Sequence, residues 1–162
     1  MLATNPDILT FSIENNLQPK FDYFTQVIGF SIDELRYVLL KRPQLLSLSL
    51  ERNIIPKIEY FLEPRSNNND GGNGGLGMSM DEVRPWLAQY PQTLAVVLES
   101  RIKPRVHDVA QMGLYIDVRN RDDRSGSNSD ANTALPLNFL TQTERNWKKW
   151  KEDYAEMIAA RS

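Results

Sequence analysis

A basic residue stands directly after a proline at three equivalent places in this 162-residue chain: Lys20 after Pro19, Lys57 after Pro56, and Arg105 after Pro104. If each proline opens a helix, its missing N–H costs nothing there, and the cation falls in the first turn. The helix dipole disfavours a cation at that end by about 0.3–1 kcal/mol. A cation kept there three times points to a use, and phosphate contact is the chemistry that lysine and arginine supply. Arg36 and Arg84 also share one place in the pattern, with Lys41 and Arg42 close by in the earlier segment. These seven residues form the candidate nucleic-acid-binding set.

Other chemistries have little to draw on. There is no cysteine, which removes disulfides, thiolate nucleophiles and cysteine metal sites. The single histidine, His107, is too little for a histidine metal cluster or a histidine-dependent triad, and reads as a surface residue. Glu14, Glu51 and Glu99 recur without any spacing that pairs carboxylates, so they read as helix-terminus or ion-pair residues. Asp33 and Asp81 match a helix dipole in a first turn. The glycine-rich stretch has no Gly-Lys-Ser/Thr after it and no strand before it, unlike a phosphate loop. The expectation is a protein that is not an enzyme, with no cofactor, metal or small-molecule substrate.

Composition is globular, with 41% apolar and 25% charged residues. The net charge of −2 leaves nucleic-acid affinity to a local patch. No apolar run approaches the ~20 residues of a membrane span. The N-terminal stretch shows neither a secretory signal nor a transit peptide.

The elements that must position the candidates form an internal repeat. Copies begin at Pro6, Pro43 and Pro91, and each has a second proline 13 residues later. Leu9, Leu46 and Leu94 lie three residues after the first proline, and the three glutamates five before the second. The run from Gly29 to Pro43 aligns without a gap with the run from Gly77 to Pro91. The period lengthens from 37 to 48 residues because of the Asn/Gly-rich stretch 63–77, read as a flexible surface insertion.

Ser31 with Glu34, and Ser79 with Glu82, have capping-box spacing. The helices they open stop at Pro43 and Pro91. The pieces after those prolines are long enough for one or two turns, of 3₁₀ type. The next helix carries the second proline, and Gly29 ends the first of these as a glycine cap. Its start is open between two choices: the proline as first helical residue, or an earlier start near Ser12 or Ser49 with the proline inside as a kink. Such units bury their apolar faces only by stacking, which makes the fold class all-α, an α-solenoid.

The repeat array spans 5–115, with copies at 5–42, 43–90 and 91–115. A polar linker follows at 116–140 and an amphipathic helix at 141–162, opened by a capping box of Thr141 and Glu144. Trp147, Trp150, Tyr154 and Met157 or Ile158 make its apolar stripe, and Lys148, Lys149 and Lys151 lie off it. This helix reads as a cap on the solenoid end, with a protein partner or an aromatic–basic RNA contact as the other uses.

The GFSIDELRYVLLKRPQLLSLSLERNIIPKIEYFLE run, the prolines 13 apart and the G-x-S-x-D-E helix start resemble the mitochondrial transcription termination factor (mTERF) family over roughly residues 5–115. The resemblance implies mTERF-type helical repeats that bind double-stranded nucleic acid through its phosphate backbone. It also implies a role in mitochondrial or plastid gene expression, by transcription termination or regulation. Its alternatives are an RNA-binding factor in ribosomal RNA maturation or splicing, and a solenoid that serves as a protein-interaction scaffold. The first copy begins at the family's mid-unit position, as it would in a fragment or a shortened chain.

Overall fold

The computed structural model describes residues 12–65, 74–117 and 134–160. Leu9 and the polar stretch 119–133 lie outside them. The first helix, α1, is continuous through Ile13–Leu17, Gln18–Asp22 and Tyr23–Val27. Then come α2 (Ile32–Lys41), a 3₁₀ turn (Pro43–Ser47) and α3, made of Leu50–Ile54 and Ile55–Leu62. The order repeats with α4 (Met80–Gln89), a 3₁₀ turn (Pro91–Ala95) and α5, made of Leu98–Ile102 and Lys103–Gln111. Strands β1 (Tyr115–Asp117) and β2 (Ala134–Pro136) pair in parallel before a 3₁₀ turn (Leu137–Thr141) and α6 (Glu144–Ala159).

The proline-bearing helices take the earlier of the two starts. Ser12 and Ser49 cap α1 and α3, each accepting from the backbone N–H three residues on, and Val97 stands at the same place before α5. The prolines therefore lie inside their helices. Each is preceded by one wide, π-type turn, closed by Leu17 N–H to the Ser12 carbonyl, Ile54 N–H to Ser49 and Ile102 N–H to Val97. In a helix interior a proline ring collides with the carbonyl four residues back and offers no N–H to it. A wider turn immediately before the ring relieves both conflicts, because it shifts the hydrogen-bond register by one residue.

The other helices start and stop as their residues dictate. Ser31 with Glu34, and Ser79 with Glu82, form both halves of a capping box. Arg42 and Tyr90 leave helical geometry before Pro43 and Pro91. Gly29 takes a left-handed φ of 81°, which ends α1 without a Cβ clash.

Units stack in chain order. Helix α2 packs on α4, and the 3₁₀ turn at 43–47 packs on that at 91–95, which packs on that at 137–141. Leu46 and Leu94 are buried at equivalent places in the shared core.

Three features differ from the sequence expectation. The 63–77 insertion is core at its end, because Leu76 and Met78 are buried and their N–H groups bond the Tyr60 and Phe61 carbonyls at the end of α3. Gly75 threads this return, where a Cβ would come within 2.2 Å of the Tyr60 carbonyl oxygen. The 116–140 linker contains a strand pair and a 3₁₀ turn with Leu137, Phe139 and Leu140 buried. The last helix is capped by Thr143, whose side chain accepts from Asn146 N–H, while Thr141 donates to the Asn138 carbonyl. The expected Thr141–Glu144 box is therefore absent, and Glu144 is used elsewhere.

These corrections expose a fourth copy of the repeat. Pro136, Phe139 and Glu144 have the spacing of Pro43, Leu46 and Glu51. Lys149 stands where the inner proline would be, and α6 is α-helical throughout, with no wide turn. At this repeat position the wide turn precedes proline in three copies and is absent with it in the fourth, although α1 has a second wide turn at Tyr23–Val27 without proline and α4 holds Pro85 without one.

Candidate nucleic-acid interface

The three repeated cations do not face solvent. Lys20, Lys57 and Arg105 are 3%, 2% and 2% exposed. Each lies mid-helix and reaches forward into the next unit. Lys20 Nζ donates to the Leu46 carbonyl oxygen at 2.6 Å, and Lys57 Nζ to that of Leu94 at 2.5 Å. Arg105 Nη1 donates to the Phe139 carbonyl oxygen at 2.8 Å, with Leu140 at 3.1 Å and Gln142 at 2.9 Å. The acceptor is the same residue of the repeat every time, near the C-terminal end of a 3₁₀ turn. Carbonyls near a turn's end carry partial negative charge, which suits a cation; that of Phe139 also accepts from Gln142 N–H at 3.3 Å.

Lys20 and Lys57 are held from their own side as well. Asn16 and Asn53, four residues earlier, accept from the Lys20 and Lys57 ammonium groups. Arg105 instead binds the Glu144 carboxylate at 2.7 Å and lies over the Trp147 ring, 5.5 Å from its centroid. Burial lowers all three basicities, that of Lys57 from 10.5 to about 8. Nearby carboxylates work against this at Lys20 (Glu51) and Arg105 (Glu144).

These geometries overturn the expected phosphate role of Lys20, Lys57 and Arg105. A phosphate cannot reach an ammonium enclosed between two units and already bonded there. The error began with the helix start: placing each proline first in its helix put the cation in a solvated first turn. A cleft of about 230 Å³ opens beside Lys20, lined by Asn15, Asn16, Ser47, Ser49 and Glu51. It offers no free cation, since Lys20 is engaged by Asn16 and Leu46.

The other four candidates lie on the α2 and α4 pair. Arg36, Lys41 and Arg42 are exposed, and Lys41 Nζ sits 4.3 Å from the Tyr37 ring centroid. Among the described residues these three cations make no ion pair. Arg84 is half-buried and turned toward the first unit, with Nη1 3.4 Å from the Gly29 carbonyl oxygen. Arg36 and Lys41 are thus exposed on α2 and Arg42 at its C-cap, separate from the three buried cations.

Sequence reasoning also missed Arg101, which pairs with Glu144 at 2.9 Å beside Arg105. The signal was the recurrence of Glu144 in the register of Glu51 and Glu99. His107 is half-buried and bonded to Gln111 at 2.8 Å. On α6, Trp147 is buried, and Trp147, Trp150 and Tyr154 stack in series at 5.0 and 5.5 Å between centroids. Lys151 ties this helix to Asp108 of α5 at 2.7 Å. Among the described residues no group of three or more His, Cys, Asp or Glu could hold a metal ion, and no helix is long and apolar enough to cross a membrane.

The mTERF family model matches residues 1–67, which take in α1, α2, the first 3₁₀ turn and α3. No curated protein and no solved structure matches the chain. The proline-bearing helices, the capped helix between them and the 3₁₀ turn belong to that match and recur beyond it. Over residues 1–67 the chain is similar to the mTERF family, whose members bind nucleic acids and work in organelles.

Proposed function

We propose that this protein is a non-enzymatic regulator of mitochondrial or plastid gene expression that binds double-stranded DNA through its phosphate backbone. Its action is on transcription, by termination or regulation. The carrying observation is the exposure of Arg36 and Lys41 on α2 and Arg42 at its C-cap, which make no ion pair among the described residues, in a chain similar to this family over residues 1–67. Unpaired surface cations are the groups that exchange counterions for phosphate. Tyr37, exposed between them, adds a flat ring beside the Lys41 ammonium. The net charge of −2 does not forbid this, because charges beyond about 8 Å are largely screened at physiological salt.

The test is a salt titration of duplex binding. Each phosphate contact contributes about 0.9 to the log–log slope. Replacing Arg36, Lys41 and Arg42 together by alanine reduces the slope by nearly three on this estimate, with the helical signal unchanged. An unchanged slope removes the reading.

The burial of Lys20, Lys57 and Arg105 supports a second reading, a protein-interaction scaffold. It withdraws from the surface the only cations that recur in every complete copy. On that reading duplex binding is negligible even at low salt.

A further inference from the structure

The three joints between units are not chemically alike. Two residues after its repeated glutamate, the first unit has Asn16 and the second Asn53, and each accepts from its own lysine. The third unit has Arg101 at that place. An acceptor is thereby exchanged for a second cation, beside Arg105.

A single carboxylate oxygen serves both cations. Glu144 Oε1 accepts from Arg101 Nε at 2.9 Å and from Arg105 Nη2 at 2.7 Å. Two guanidinium groups on one carboxylate leave one positive charge in excess. The neighbouring pair of Lys103 with Glu99, at 2.6 Å, is balanced in itself. Burial disfavours the Arg105 charge, the Glu144 carboxylate supports it, and Arg101 again opposes it. The two arginines therefore need an anion between them.

Their donors outnumber what Glu144 accepts. Arg105 Nη1 is spent on the carbonyls of Phe139, Leu140 and Gln142. Arg105 Nε is buried and finds no acceptor among the described residues. A guanidinium matches two oxygens of a carboxylate or phosphate at once. Glu144 gives Arg105 one oxygen and shares that one with Arg101. A tetrahedral phosphate has enough oxygens to take Arg101 Nε, Arg105 Nη2 and Arg105 Nε on separate atoms.

The carboxylate can leave. The side chains of Glu144 and Arg101 are 64% and 38% exposed, so the joint opens to solvent on this side although Arg105 is enclosed. An ion pair this exposed contributes little net stability, and a second anion competes with it. The lysine joints differ, because backbone carbonyls of the stacked core hold their cations and do not depart. A ligand that takes the place of one departing side chain must be small, which a free ion is and a duplex is not.

We propose that Arg101 and Arg105 form a site for free phosphate, of which Glu144 is the resident and exchangeable occupant. Binding moves Glu144 away and leaves α6 held by Lys151 on Asp108 and by Trp147 stacked on Phe139. The site does not rest on the nucleic-acid reading and is tested without nucleic acid.

The full chain is titrated with inorganic phosphate at constant ionic strength, with chloride as the balance. Calorimetry reads the affinity, and tryptophan emission reports the change beside Trp147, whose ring centroid is 5.5 Å from the Arg105 guanidinium. The wild type should bind saturably. Glu144→Gln removes the resident charge and should tighten binding about tenfold, the effect of one charge-assisted hydrogen bond. Arg101→Ala should weaken it by about as much. Lys148→Ala, which removes an exposed cation elsewhere on α6, should leave it unchanged. Circular dichroism spectra that match the wild type verify that all three variants fold. No saturable binding by the wild type, no tightening in Glu144→Gln, or an Arg101→Ala chain that binds as well as the wild type would overturn the proposal. So would an equal loss in Lys148→Ala, the mark of diffuse surface charge.

Discussion

Lys57 reaches from the middle of α3 to the carbonyl oxygen of Leu94, 37 residues on in the chain, at 2.5 Å. The same cation-to-carbonyl contact joins Lys20 to Leu46 and Arg105 to Phe139. A cation that recurs at a fixed place in every complete unit therefore couples neighbouring units, and its cost of burial is offset by the carbonyl oxygen it reaches in the next unit's 3₁₀ turn.

Lys57→Met keeps the buried stem and removes the donor. The Leu94 carbonyl and the Asn53 amide oxygen then lose their partner. A buried acceptor left unsatisfied costs about 1–3 kcal/mol. Lys41→Ala, an exposed change of the same charge, should stay within about 0.5 kcal/mol. Denaturant melts of the two variants should separate them, and equal losses would mean that the coupling contributes nothing to stability.

This role was legible in part. Leu17, Lys20, Phe21 and Phe24 fall at i, i+3, i+4 and i+7, and so do Ile54, Lys57, Ile58 and Phe61. The cation thus sits within the apolar stripe of its helix, which periodicity alone could have shown. Asn16 and Asn53, one turn earlier, were the accompanying signal. The acceptor could not be read, because a backbone carbonyl of another unit leaves no mark in residue type. The capping boxes, the 3₁₀ turns and the Gly29 cap were legible, since each is local chemistry. The fourth unit was hidden because Lys149 and Trp150 replace its proline and cation behind a polar stretch.

Leu94 tests the stacked core directly. It is 1% exposed, and its turn packs against the turns before and after it. Leu94→Ala should cost about 2–5 kcal/mol, the usual range for a fully buried leucine. Thermal melts should report a loss of similar size for Leu46→Ala in the preceding unit. A negligible effect at both sites would show that the units do not share one core.

Position 149 tests the link between proline and the wide turn. Helix α6 is α-helical there, so a proline would remove a hydrogen bond and press on the carbonyl four residues back. Lys149→Pro should therefore cost about 3 kcal/mol or more. Pro56, at the same repeat position, is accommodated because α3 already carries its wide turn. If Lys149→Pro leaves the unfolding midpoint unchanged, α6 can adopt that turn on demand, and the turn is a response to proline rather than a built-in feature.

Two buried groups shape stability at alkaline pH in opposite senses. Burial lowers the Lys57 ammonium from 10.5 to about 8, so below pH 8 both folded and unfolded chains hold its proton and the group adds no slope. Between 8 and 10.5 the unfolded chain binds more protons, and stability rises with pH. Tyr60 acts the other way. Burial, then the charges of Glu63 and Glu99, push its hydroxyl from 10 up to about 12. Between those values the unfolded chain has lost a proton that the folded chain keeps, so stability falls. The two effects place a stability maximum near pH 10, where the rising limb meets the falling one. Lys57→Met should flatten the rise that begins at pH 8, and Tyr60→Phe should flatten the fall above pH 10. Denaturant midpoints across that range read both limbs, and a Lys57→Met profile that still climbs from pH 8 would show that another group carries the rise.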